Sequence, residues 1–341
     1  MAALLPSGPA NAAESTEYTN PVYAGRMPDP GVLSYRGRYY AFGTTGASRL
    51  EDGRVFRVLT SRDLVNWKES GGALEPPFES PDVQYWAPEV VHHEGTFYLY
   101  YSAGTLPDLR FGIRVATSES PEGPYVDNGV PLEEGQAAPF FIDGHAYQDS
   151  DSSWYFFYAK DFLDTEDGYM AGTGIVVDRL LDMVRMEGKS RMVVRPRHPW
   201  TLFESSRKMD SYGGQVFDWH TIEAPWIVKR NEQYYCFYSG SNFGTVNYGL
   251  DYVVADSVMG PYRNQGRHAR VLRGVPDLVR GPGHHSVVTA PDGKTEMVVY
   301  HAWNREMTHR QMCVDPLVWT AAGPTCVGPT ASPQRLERPT E

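Results

Sequence analysis

Trp86-Ala87-Pro88-Glu89-Val90-Val91, followed by Gly95-Thr96-Phe97-Tyr98-Leu99-Tyr100-Tyr101, reads as a short strand pair opened by a polar residue and turned at glycine. The same design recurs four times. It is found at Met27-Pro28-Asp29-Pro30-Gly31-Val32 with Gly37-Arg38-Tyr39-Tyr40-Ala41-Phe42, and at Ile142-Asp143-Gly144-His145-Ala146-Tyr147 with Trp154-Tyr155-Phe156-Phe157-Tyr158. It returns at Ile222-Glu223-Ala224-Pro225-Trp226-Ile227 with Gln233-Tyr234-Tyr235-Cys236-Phe237-Tyr238, and at Gly283-His284-His285-Ser286-Val287-Val288 with Thr295-Glu296-Met297-Val298-Val299-Tyr300. The openers fall at 29, 89, 143, 223 and 284. A repeat of about 40–80 residues built from short strands signals a radial β architecture. The spacing predicts an all-β, five-bladed β-propeller with four-stranded antiparallel blades, whose openers face one another across a central funnel.

Third strands are expected at Val55–Ser61, Gly112–Ser118 and Tyr248–Ala255, and closing turns at Asp63–Trp67, Ser120–Tyr125 and Met259–Tyr262. The long interval between Asp143 and Glu223 holds an insertion from about Arg195 to Trp219. Val177–Arg185 is the one stretch read as a short helical turn. Residues 1–18 are expected to form a disordered lead, 19–330 the propeller and 331–341 a flexible tail. The start, through Ala10-Asn11-Ala12, resembles the end of a signal peptide but lacks a positive n-region and an apolar core, so localisation stays open between secreted and cytoplasmic.

The chain has 341 residues, more than a single core usually serves, but repeats bury their faces against their neighbours. Its formal net charge is −11 and it has no Lys/Arg-rich run, which argues against nucleic acid; no long apolar stretch suggests a membrane span. An acidic balance suits a neutral partner, and 22 Tyr and 8 Trp suit both sheets and sugar-stacking surfaces. The expected partner is an oligosaccharide or polysaccharide, and the expected state a monomer or weak oligomer. Three cysteines make no disulfide framework; Cys236 reads as buried, and Cys313 and Cys326 pair only if their strands bring them together.

Asp29, Asp143 and Glu223 put carboxyl groups on three different blades. Two opposed carboxyl groups are the minimum for glycoside hydrolysis, one taking a proton from water and one giving a proton to the leaving oxygen. A third carboxyl group beside the acid keeps it protonated, because neighbouring like charges resist joint ionisation. Trp86, Trp219 and Trp303 are candidates for stacking on sugar faces, and Phe42, Tyr147 and His220 for lining the pocket.

Pro28-Asp29-Pro30-Gly31, Ile142–Asp151, Thr221–Pro225 and Gly281–Val288, in this order and spacing, resemble glycoside hydrolase family 43 over about residues 20–330. The resemblance implies five-bladed propellers that cleave arabinosyl, xylosyl or galactosyl linkages with inversion. It makes Asp29 the general base, Glu223 the general acid and Asp143 the modulator of the acid's pKa. It makes His284 the axial histidine near a calcium ion or a buried water, with no cofactor needed for the chemistry. Arg310 then contacts substrate hydroxyls or Asp29, and Glu89 shapes the pocket. The family has Glu-Gly-Pro where this chain has Glu223-Ala224-Pro225, a small change unless the backbone there needs positive φ. Among relatives, a chain ending at the propeller and the Tyr300-His301-Ala302-Trp303 segment favour an exo-acting α-L-arabinofuranosidase. β-Xylosidase, endo-arabinanase and exo-galactanase are alternatives, the last disfavoured because Asp29 is present. Outside the family stand a fructan-active enzyme and a non-catalytic glycan-binding propeller.

Overall fold

The computed structural model describes residues 15–106, 109–133 and 139–337. Among them, the only helical elements are three three-residue 3-10 turns. After β1 (Ser15–Tyr18), the first sheet is β2 (Gly31–Tyr35), β3 (Arg38–Gly43), β4 (Val55–Ser61) and β5 (Lys68–Leu74), paired in chain order. The second is β6 (Val83–His93), β7 (Thr96–Thr105), β8 (Arg110–Ser118) and β9 (Val126–Glu133). The third starts with β10 (Phe141–Gln148), β11 (Trp154–Phe162) and β12 (Gly172–Asp182), and adds β13 (Arg185–Met186), β14 (Arg191–Val194), β15 (Leu202–Met209) and β16 (Gln215–His220). The fourth is β17 (Ile222–Arg230), β18 (Gln233–Gly240) and β19 (Gly249–Ala255). The fifth is β20 (Arg280–Thr289), β21 (Glu296–Trp303), β22 (Arg310–Thr320) and β23 (Gly323–Cys326), and β24 (Gln334–Glu337) follows.

The first strands of these sheets surround one axis. β2 packs on β6 and β20, β10 on β6 and β17, and β17 on β20. The ring closes where Ser286 Oγ accepts from the Val32 N–H (3.0 Å) and donates to the Pro30 carbonyl (2.9 Å). The result is an all-β propeller. Its core is divided into clusters between sheets: Phe42 and Val58 meet Leu99 and Tyr101, Tyr100 meets Phe156, Phe157 meets Cys236, Phe237 meets Tyr300, and Val299 meets Val32. Each sheet thus gains its burial from its neighbours, as stacked repeats do.

One backbone device repeats around the axis. Asp29 (φ 55°), Ala87 (47°), Asp143 (57°), Ala224 (54°) and His284 (43°) are all left-handed, and none is glycine. The register breaks at four of these positions, within β6, β10, β17 and β20. Such bulges re-aim side chains. Each freed N–H is received by a side chain: Ala87 by Thr44 Oγ1 (2.8 Å), Asp143 by Ser102 Oγ (3.1 Å), Ala224 by Asp143 Oδ2 (3.0 Å), His284 by Ser239 Oγ (2.8 Å) and Asp29 by His301 Nδ1 (3.2 Å). The structurally equivalent positions are therefore 29, 87, 143, 224 and 284. Glu89 lies two residues beyond its bulge and Glu223 one before, so Glu89 is not the equivalent of Asp29. Ala224 does need positive φ, at a cost of about 1–2 kcal/mol for a residue with a Cβ. Ala224→Gly is expected to raise stability by up to about 1 kcal/mol in urea unfolding, the relief exceeding the added chain entropy.

Several expectations are corrected. Val177–Arg185 is not helical: Val176 and Val177 lie in mid-β12, where branched side chains fill the core. The sheets are unequal. The fourth has three strands and, among the described residues, two isolated bridges, Val254 to Arg263 and Leu250 to Leu272, where an outer strand was expected, while the insertion enlarges the third. Ser15–Tyr18 and Gln334–Glu337, expected in the lead and tail, form an antiparallel ribbon with Leu336 and Tyr18 buried. Residues 1–14 and 338–341 of those segments lie outside the described residues. Cys313 and Cys326 are both free. The register sets Cys326 opposite Leu317, four residues along β22 from Cys313. That is about 13 Å of strand, beyond the reach of a disulfide. No helix among the described residues is long and apolar enough to cross a membrane.

Candidate active site

The funnel opens over the bulges. A cavity of about 1150 Å³, continuous with solvent, is walled by Asp29, Asp143, Glu223, His284 and Arg310, with Trp86, Phe140, Phe203, Trp219 and Phe243 among its apolar lining. The left-handed turn at Asp29 sets its side chain beside one guanidinium and two imidazoles. Arg310 Nη1 donates to Asp29 Oδ1 at 2.7 Å, His301 Nδ1 lies 3.2 Å from that oxygen, and His284 Nδ1 lies 3.5 Å from it. Burial opposes ionisation of Asp29, but Arg310, His284 and His301 together outweigh it and hold the carboxyl well below its usual range.

The other two carboxyl groups behave oppositely. Burial, then the neighbouring Glu223 and Asp29, push Asp143 well above its usual range. Burial lifts Glu223 to about 7, aided by Asp29 and opposed by a 2.6 Å hydrogen bond from the Tyr248 hydroxyl to Glu223 Oε1. Asp143 and Glu223 titrate as a pair and retain a proton that Asp29 gives up. Asp143 is expected to raise the acid; at Glu223 burial is the largest cause and Asp29 the neighbouring charge that adds to it, while Asp143 is itself raised.

His284 lies between two carboxyl groups, its Nδ1 3.5 Å from Asp29 and 3.9 Å from Asp143. Burial lowers its pKa, with Arg310 adding to the effect and Asp29 opposing it. Among the described residues, no group of three or more His, Cys, Asp or Glu side chains could hold a metal ion. Calcium prefers oxygen ligands, so an ion at the axis would draw most of its ligands from water, with His284 as one protein ligand.

Of the candidate binding residues, Trp86 lines the funnel, its ring stacked on Phe111 at 3.9 Å, and Trp219 and Arg310 also line it. Four others do not. Phe42 is fully buried in the core between the first two sheets, because its strand position points away from the axis. His220 is buried with Nδ1 3.0 Å from Thr201 Oγ1. Glu89 pairs with His145 at 2.8 Å beside a narrow axial void below the bulges. Trp303 donates its indole N–H to the Phe243 carbonyl at 2.7 Å, bracing that loop without lining the funnel. Tyr147 packs against Tyr234.

Sequence reasoning missed Tyr248, His301, Arg207, Phe203 and Phe243. Tyr248 was one of 22 tyrosines, and only the fold stacks it on His301, with ring centroids 5.6 Å apart. Ser102 and Ser239, which clamp the bulges, did carry a signal: each follows an aromatic pair, Tyr100-Tyr101 or Phe237-Tyr238, on a second strand.

Three buried carboxyl groups around one funnel, one held ionised and two sharing a proton, define a glycoside hydrolase. The chain belongs to glycosyl hydrolases family 43, whose family model matches residues 18–324. Similar proteins include the β-D-galactofuranosidase xynD of Aspergillus niger, 29% identical over 92% of this chain and 86% of that protein. The extracellular exo-α-(1→5)-L-arabinofuranosidase ArbA of Cellvibrio japonicus is 28% identical over 81% of this chain and 78% of its own length. A thermostable family-43 glycoside hydrolase of known crystal structure superposes with a TM-score of 0.78 at 29% identity, covering 95% of this chain and all of that one.

Proposed function

We propose that the protein is an inverting, exo-acting α-L-arabinofuranosidase built on five blades, one for each bulged strand around the axis. The observation that carries the reading is the divided protonation of Asp29 against Asp143 and Glu223. Asp29, ionised, takes a proton from water as the oxygen attacks the anomeric carbon. Glu223, protonated, gives its proton to the leaving oxygen as the glycosidic bond breaks. Asp143 holds the backbone beside the acid through the Ala224 N–H and shares the proton of the pair. Arg310 keeps the base ionised. Every proton in this scheme is moved by a carboxyl group.

A furanoside is supported by the arabinofuranosidase and galactofuranosidase among the relatives. α-L-Arabinofuranose and β-D-galactofuranose share ring stereochemistry and differ in the chain beyond the ring. β-D-Galactofuranosidase is therefore the second reading, and β-xylosidase, the activity of a relative from Xylanibacter ruminicola, the third. The test is release of nitrophenol from the α-L-arabinofuranoside, β-D-galactofuranoside and β-D-xylopyranoside, with the first-formed anomer read by NMR. Fastest release from the arabinofuranoside with inverted product is expected. Retention would overturn the mechanism, and no release from any glycoside would leave the glycan-binding propeller in its place.

A further inference from the structure

The insertion in the third sheet contributes more to the funnel than its length suggests. β15 and β16 form a hairpin whose inner face adds Phe203, Arg207 and Trp219 to the wall. Ser206 is left-handed (φ 52°) and the register shifts between Glu204 and Arg207, so the strand is re-aimed beside Arg207. The Arg207 side chain is 19% exposed, and its guanidinium stands 4.7 Å from the Phe203 ring centroid. Its ion pair with Glu204 is long, 3.5 Å from Nε, and no described residue accepts a hydrogen bond from it. A guanidinium carries five N–H donors, so a half-buried one facing a cavity has donors to spend on a ligand. Beside it, Phe243 is 40% exposed, 6.3 Å from Phe203, and the Arg310 guanidinium lies 4.9 Å from its ring centroid.

We propose that Phe203, Phe243 and Arg207 form the subsite for the sugar on the leaving-group side of the scissile bond. The inference rests on the assignment of Glu223 as the acid. β16 runs through His220 and Thr221 straight into the strand bearing Glu223, so the hairpin flanks the group that protonates the leaving oxygen. The apolar C–H face of a sugar ring packs on the two phenyl rings, and its hydroxyls accept from Arg207. The class of ligand is a neutral oligosaccharide with at least one further sugar beyond the bond cleaved.

Tyr212 and Asp161 are positioning residues for this subsite. At the hairpin tip, the Tyr212 hydroxyl donates to buried Asp161 Oδ2 at 2.8 Å, and its ring stacks on Trp219 at 6.4 Å. Asp161 belongs to β11, so this contact ties the hairpin to the body of the sheet.

The test titrates α-1,5-arabinobiose and, as the single sugar, arabinose locked in its five-membered ring as methyl α-L-arabinofuranoside, calorimetrically into Glu223→Gln protein, in which turnover is suppressed, with and without Arg207→Ala. The single sugar fills the inner pocket alone, while the disaccharide fills both. Arg207→Ala is expected to weaken the disaccharide about tenfold and the single sugar far less, with Arg207→Lys intermediate. In otherwise wild-type protein, Tyr212→Phe is expected to raise KM for the disaccharide about threefold, more than it lowers kcat. Equal weakening of both sugars, weakening of neither, or a disaccharide that binds no tighter than the single sugar to the parent protein overturns the subsite. If the wild type cleaves no glycoside while the titrations show the split, the activity fails and the subsite stands. Thermal melts of each variant identify any that fails to fold.

Discussion

Glu223→Ala is expected to lower kcat/KM on a nitrophenyl arabinofuranoside by about 10²- to 10⁴-fold, the range supplied by a positioned acid. The loss should depend on the leaving group. A dinitrophenyl glycoside departs as a stable anion and needs little protonation, so the variant should lose far less on it. The wild type should also lose activity as pH rises through about 7, where Glu223 gives up its proton. The variant acting on the dinitrophenyl substrate should lack that limb. Stability follows the same sign. The pKa of Glu223 is higher folded than unfolded, so its contribution is full below the unfolded value of about 4.5 and disappears as pH rises through about 7. A variant with full activity on both substrates would remove Glu223 from the mechanism.

The repeat was legible because each unit needs the same ingredients: a polar opener, a turn and an aromatic second strand to bury against the next sheet. Asp29, Asp143 and Glu223 were readable for the same reason, since carboxyl groups at repeated positions converge once the repeats are radial. What the sequence hid was the half-turn of backbone at each opener. Left-handed residues are usually glycines, and here the positions are held by Asp, Ala and His. Without that cue, Glu89 and Glu223 aligned with Asp29, although the bulges send Glu89 below the funnel to His145. Phe42 failed differently, because strand alternation says which residues share a face but not which face meets the axis. The insertion was visible only as extra length. Its Arg207 and Phe203 gain meaning from a hairpin that long-range contacts, such as Tyr212 with Asp161, fold back onto the funnel.

Asp29→Ala is expected to abolish most hydrolysis, again by about 10²- to 10⁴-fold, and here without rescue by a better leaving group, because water still lacks its base. It should also destabilise the protein. Arg310, only 13% exposed, loses the carboxylate at 2.7 Å, and stranding one member of a buried pair costs about 3–5 kcal/mol. Asp29→Asn keeps the shape and some hydrogen bonding, so it should lose activity as fully but stability less. Arg310→Met tests the electrostatics directly. In the wild type Asp29 stays ionised well below the usual carboxylate range, so the acid limb of kcat/KM lies low and the stability it contributes is lost only as pH falls through that depressed value. With Arg310 gone, burial regains weight against His284 and His301, and the acid limb should move to higher pH. A pH profile unmoved by Arg310→Met would mean that the limb belongs to another group. In that case Asp29 would not be the base, whatever its place beside the pair that holds the proton.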